Sequence, residues 1–179
     1  MLKLIKNNFN KIGILGGTFD PPHKGHLYIS KIAIKKLKLD KLTWVITKKN
    51  PFKKKPYLSL SKRIKLSKEI VKKEPKIRIE YIESLIKSSN TFNTLSYFKK
   101  KSKKNKLYFL IGADNLINFH KWKNWRNIPK IAKIIIFPRK NYSINLKKFI
   151  SSKKLSKNEW LLMKSKKINI SSSGIRKYW

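Results

Sequence analysis

A chain of 179 residues is the length of one domain and can bury a sizeable core. Its 46 Lys and Arg against 8 Asp and Glu give a formal net charge of +38, yet 40% of residues are apolar, with five Trp, seven Tyr and nine Phe, which excludes a disordered polycation. The absence of cysteine excludes disulfides, a thiol nucleophile and Cys-based zinc or iron–sulfur sites.

In chain order, Lys11–Leu15 reads as a first strand closed by Gly16-Gly17. Residues 26–39 carry Leu27, Ile29, Ile32, Ala33 and Leu37 at helical spacing. LTWVIT at 42–47 predicts a second strand, and 60–73 a helix with Ile64, Leu66, Ile70 and Val71 inward. A short strand over 77–81, a helix over 91–101 and the strand LYFLIG at 107–112 follow. Short helices are expected over 115–119 and 124–130, then a buried strand, IAKIIIF, at 131–137 before Pro138. The lysine-rich stretch 139–158 is expected to be mobile in part, 160–163 to form an edge strand, and 172–178 a last helix. No internal repeat or linker interrupts the pattern, so residues 1–179 are expected to form a single domain.

Strands alternating with helices predict an α/β fold: a Rossmann-like, doubly wound, mostly parallel sheet covered on both faces. Ligands of such sheets bind beyond the carboxyl ends of the strands, at the topological switch point. Residues 1–10 lack the apolar core of a signal peptide, and no run of about 18 apolar residues predicts a membrane span, so a cytoplasmic protein with no membrane partner is expected.

Only Arg63, Arg78, Arg126, Arg139 and Arg176 are arginines; the other 41 basic residues are lysines. Dedicated nucleic-acid binders lean on the planar fork of Arg. A spread of Lys, Ile and Asn fits a general composition bias, and no specific nucleic-acid partner is expected. The field should still attract anions and weaken with salt.

Residues 16–26 read GGTFDPPHKGH and join the first strand to the first helix. Gly16 and Gly17 lack Cβ atoms, so backbone there can approach a ligand closely and take positive φ. His23 and His26 stand at the helix mouth, where unpaired N–H groups and the dipole favour anions. Both imidazoles can donate to phosphate oxygens, neutral or protonated. Neither G-x-G-x-x-G nor the G-K-[ST] of a P-loop is present, and no third ligand beside the histidines suggests zinc.

The segment GGTFDPPHKGH resembles the first signature, with its His-x-Gly-His element, of the nucleotidyltransferase superfamily of adenylyltransferases. Within it, the likeness is to bacterial nicotinate-nucleotide adenylyltransferases. Phosphopantetheine adenylyltransferases typically have Thr where His23 stands. Near the C-terminus, ISSSGIR at 170–176 offers an N-cap and exposed N–H groups at Ser171, Ser172 and Ser173, with Arg176 one turn in. It is similar to the superfamily's I-S-x-T-x-x-R signature, Ser173 replacing Thr. Many relatives continue with more helix beyond the Arg, so the last helix here is expected to be short.

Middle segments carry the same resemblance. Asn50-Pro51-Phe52-Lys53 resembles a Pro-rich loop whose basic residue lies near the nucleotide phosphate, although Lys53 also belongs to a lysine run. Thr91-Phe92-Asn93-Thr94-Leu95 resembles S-Y-T-x-x-T-L, with Ser89-Asn90 where the family has Ser-Tyr. Gly112-Ala113-Asp114 resembles a G-x-D turn near adenosine, although Asp114 can equally cap a helix. Trp122 lies in a Trp-containing segment. It would stack on a pyridine ring, but either Trp122 or Trp125 also suits a core.

The resemblance implies AMP transfer from ATP to nicotinate mononucleotide, with Mg²⁺ accompanying ATP. It implies catalysis by His23, His26 and Arg176. ATP would be held by Gly16, Gly17, Thr18, Phe19, His23, His26, Gly112, Asp114, Ser171, Ser172, Ser173 and Arg176. The acceptor nucleotide would meet Asp20, Asn50, Lys53, Thr91 and Trp122. No protein metal site is expected. The alternatives are nicotinamide mononucleotide or phosphopantetheine as acceptor and, in another class, a basic nucleic-acid-binding module.

Overall fold

The structure, a computed structural model, describes residues 10–101, 104–116, 118–139, 156, 158–165 and 170–178. Among the described residues six strands form one sheet: β1 (Lys11–Gly17), β2 (Lys41–Ile46), β3 (Ile77–Glu80), β4 (Lys106–Gly112), β5 (Ala132–Phe137) and β6 (Trp160–Leu162). Their order is β3-β2-β1-β4-β5-β6, and all five pairings are parallel. The expected edge strand at 160–163 is therefore β6, beside β5.

Alternation along the strands splits the core between the two faces. Ile12 and Ile14 of β1, Phe109 and Ile111 of β4, and Ile134 and Ile136 of β5 enter one cluster; Leu15, Leu110, Ile135 and Phe137 enter the other. This period of two follows from the pleat. Helices α1 (Lys24–Leu37) and α2 (Leu60–Val71) supply Leu27, Ile32, Ala33, Ile64 and Val71 to the second cluster. Helix α4 (Thr91–Lys101) supplies Leu95 and Phe98 to the first. Both faces of the sheet are thus covered, which is why its strands read as near-continuous apolar runs.

Several boundaries differ from the sequence reading, for local reasons. Helix α1 starts two residues early because His23 itself is its cap, and it ends at Leu37 because Lys38 takes a left-handed conformation. A one-turn helix, α3 (Glu83–Ile86), has no sequence periodicity to reveal it. The expected helices over 115–119 and 124–130 are shorter pieces: α5 (Ala113–Leu116), 3-10 turns at Phe119–Lys121 and Trp125–Asn127, and α6 (Ile128–Ile131). The last helix is one α turn, α7 (Ser172–Ile175), followed by a 3-10 turn, Arg176–Tyr178. Most of the stretch expected to be mobile, 140–155 and 157, lies outside the described residues. No helix among the described residues is long and apolar enough to cross a membrane.

The chain winds outward from β1 to β2 and β3, then returns to β4 on the other side. The switch point therefore lies between β1 and β4, and the segments following those strands flank it.

Candidate active site

Strand β1 delivers the first motif to the switch point. Gly16 and Gly17 complete the strand, and no described glycine has positive φ; the left-handed residue of the turn is Phe19, at φ 50°. This corrects the expectation that glycine supplies that conformation. Phe19 is 2% exposed, its ring packed between those of His26 and Trp44, so tertiary packing holds a backbone that most side chains avoid.

His23 caps α1. Its Nδ1 accepts from the Gly25 N–H at 3.1 Å, and the His26 Nδ1 accepts from the His23 N–H at 3.2 Å. This is a capping box built from two imidazoles. It corrects the picture of an open helix mouth, because two of its N–H groups are already satisfied. It also settles the tautomer: with Nδ1 accepting, the proton of each neutral ring resides on Nε2, at the opposite edge. The His23 Nε2 is buried and has no hydrogen-bond partner among the described residues.

The rings form a column. Centroids lie 3.8 Å apart for His23 and His26, 4.7 Å for His26 and Phe19, and 4.9 Å for Phe19 and Trp44. At its base the Trp44 Nε1–H donates to Ser30 Oγ at 2.8 Å, and that hydroxyl donates to the His26 carbonyl at 2.8 Å. Burial, then the nearby Arg139 charge, lowers the His23 pKa to about 4. Burial, then the charges of His23, Arg139 and Lys53, pushes His26 well below the usual imidazole value. Both rings are neutral at pH 7.

The C-terminal motif meets the first one directly. Ser171 Oγ caps α7 by accepting from the Gly174 N–H at 3.0 Å. Ser172 Oγ donates to the Pro21 carbonyl at 2.9 Å, across 151 residues of sequence. Arg176 donates to the Asp20 carbonyl and, at 3.3 Å, to Ser173 Oγ. Its guanidinium also lies 3.6 Å from the Asp20 carboxylate and 4.8 Å from the centre of the Tyr57 ring.

The family model described as cytidylyltransferase-like matches residues 14–178. A Pelagibacter ubique protein named "Probable nicotinate-nucleotide adenylyltransferase" is 46% identical over 176 residues, covering 96% of this chain and 97% of the relative. One of the same name from Ruegeria sp. is 42% identical over 128 residues, covering 72% of this chain and 67% of that one. The chain belongs to the nicotinate-nucleotide adenylyltransferase family. The fold agrees: a Plasmodium falciparum nicotinic acid mononucleotide adenylyltransferase complexed with NaAD superposes with a TM-score of 0.78 at 23% identity, over 94% of this chain and 83% of that one.

In this family member the remaining sequence-predicted residues fall into three groups. Asp114 stands at the start of α5 and accepts from Arg139 at 2.9 Å through Oδ2, while its buried Oδ1 has no hydrogen-bond partner among the described residues. A Cβ at Gly112 would collide with that Oδ1, so glycine is what lets the carboxylate turn back over the strand end. The Asp20 carboxylate is spent on the protein's own backbone: it accepts from the Tyr57 N–H at 2.8 Å and the Leu58 N–H at 2.9 Å. Third come Asn50, Lys53, Thr91 and Trp122, in segments after β2, β3 and β4. Asn50 closes a turn by accepting from the Phe52 and Lys53 N–H groups. Lys53 is exposed, and its charge reaches His26. Thr91 opens α4. Trp122 is half-buried against Phe119 and Phe109, at centroid distances of 5.4 and 6.1 Å. Among the described residues no hydrogen bond or ring contact joins Thr91 or Trp122 to the histidine column.

Sequence reasoning missed two arginines. Arg139 follows β5, and its field acts on both histidines. Arg63 lies within α2 and is 1% exposed, beneath the site. The available signal was rarity: an arginine in a lysine chain.

Proposed function

We infer that this chain transfers AMP from ATP to nicotinate mononucleotide, giving deamido-NAD and pyrophosphate, a step of NAD biosynthesis carried out in the cytoplasm. One observation carries the catalytic part of this reading. Two neutral imidazoles, each with its Nε2–H fixed by an Nδ1 that accepts from backbone, stand where two distant signature segments are joined.

An oxygen of the acceptor's 5′-phosphate attacks the α-phosphorus of ATP in line. The new P–O bond forms as the bond to the β-phosphoryl oxygen breaks, and pyrophosphate leaves. The substrates supply the nucleophile, so the protein's task is alignment and charge stabilisation. Alignment contributes roughly 7–11 kcal/mol. His23 and His26 donate from Nε2 to the α-phosphoryl oxygens, the serines and Arg176 meet the leaving pyrophosphate, and Arg139 adds positive charge. The backbone of Gly16–Phe19, with Gly112 and Asp114, takes the adenosine side. Asn50, Lys53, Thr91 and Trp122 take the acceptor, and Asp20 acts through the loop it holds.

Mg²⁺ is expected with ATP, where it neutralises phosphate charge. The described residues contain no group of three or more His, Asp or Glu suited to an ion. The carboxylates of Asp20 and Asp114 already accept from backbone and from Arg139. Among the described residues these carboxylates therefore make no cluster for a resident ion, and we expect the phosphates and water to hold it.

The test is pyrophosphate release with ATP and Mg²⁺, comparing nicotinate mononucleotide, nicotinamide mononucleotide and phosphopantetheine. A kcat/KM for the first at least about 10-fold above the others is expected. Preference for another acceptor overturns the pocket assignment; no release with any of them favours the basic binding module. Trp122→Ala should raise KM for the acceptor more than for ATP, and equal effects would reject stacking.

A further inference from the structure

Arg63 belongs to neither signature, yet its buried guanidinium makes four hydrogen bonds, all to main-chain carbonyls. Nε donates to Leu58 at 3.2 Å, Nη1 to Thr18 at 2.6 Å and to Thr47 at 2.7 Å, and Nη2 to Lys48 at 3.0 Å. Three of the four acceptors bound the segment between β2 and α2. The fourth lies in the turn that carries the histidines. Two carboxylates grip the same ends from the N–H side: Glu83 accepts from the Lys48 N–H at 3.0 Å, and Asp20 from those of Tyr57 and Leu58. Lys48 and Leu58 are therefore each held twice, by a cation at the carbonyl and an anion at the amide. Between them Pro51–Lys55 is exposed, with only the turn at Asn50 for internal order.

We propose that Arg63 is a positioning residue which, with Glu83 and Asp20, clamps both ends of the 49–57 loop and so sets the place of the acceptor nucleotide. This rests on the adenylyl-transfer reading, in which that loop faces the acceptor. A guanidinium suits the task because its planar fork sends donors in several directions at once. A lysine ammonium presents its donors from one point and reaches fewer of these carbonyls. Because every acceptor is a carbonyl, the clamp fixes the path of the backbone and leaves the loop's side chains free to meet a ligand.

Two measurements test this. In Arg63→Lys, studied on the folded fraction defined by circular dichroism, KM for the acceptor should rise about 10-fold or more and KM for ATP about 3-fold or less. A fall in kcat with both KM values unchanged, or an equal rise in both, would overturn the proposal. Independently, amide hydrogen exchange in Arg63→Lys should quicken over 47–58 by about 10-fold relative to β1 and β4. Unchanged exchange there would also overturn it, whatever the kinetics. Failure of the wild-type protein to release pyrophosphate with any acceptor would sink the functional reading, while the exchange measurement still judges the clamp.

Discussion

At the scale of single residues, the proposed mechanism has the two histidines act through the tautomer their hydrogen bonds fix. His26→Ala should lower kcat by about 10²-fold, the cost of one well-placed donor to developing charge, with folding retained; a near-wild-type rate would remove His26 from catalysis. The pH dependence follows from the burial of both rings and the positive charges near them. Both folded pKa values lie below the unfolded value, that of His23 at about 4, so the unfolded chain binds more protons as pH falls below about 6.5. Stability should thus be constant above that pH and fall below it, by at most about 1.4 kcal/mol per pH unit for each imidazole. A protonated Nδ1 also ceases to accept, so acid should open the first turn of α1 while kcat stays level from about pH 6 to 8. Urea titrations across pH, beside a kcat–pH profile, check both parts; an imidazole-like inflection in kcat near neutrality would contradict the neutral-donor account.

At the scale of elements, α1 and β2 are tied by the Trp44–Ser30–His26 relay. Ser30→Ala would leave the indole N–H buried and unpaired, costing about 1–3 kcal/mol by urea unfolding. The catalytic rate should fall as well, since the hydroxyl also anchors the His26 backbone; stability loss with an unchanged rate would show that the column is rigid without it. Most of these elements were legible in the sequence, because strands buried on both faces announce themselves as apolar runs and long helices by their period. The signature segments were legible for a different reason: GGTFDPPHKGH and ISSSGIR resemble two signatures of one superfamily in their order, and the first holds two of the chain's three histidines. Illegible were features that only folding brings together. Nothing in the spacing of His23 and His26 says that each ring accepts from backbone. No periodicity singles out Arg63 on a helix whose other basic residues are lysines. The partners of Asp20 were hidden for the same reason, since the backbone it binds lies 37 and 38 residues away.

At the scale of the molecule, a net charge of +38 surrounds a site built for anions. Raising salt from about 0.05 to 0.5 M should raise KM for both substrates while kcat changes little, because screening weakens long-range attraction more than contacts inside the site. Salt-independent KM values would mean that the surface charge plays no part in capture. The five arginines are not placed alike. Arg78 and Arg126 are exposed, whereas Arg63 is enclosed by carbonyls and Arg139 and Arg176 are ion-paired beside the site. At an exposed position a cation works as a point charge in water, where the geometry of its donors matters little. A position that must bond four diverging carbonyls has no such freedom, so at Arg63 the shape of the cation counts for as much as its charge.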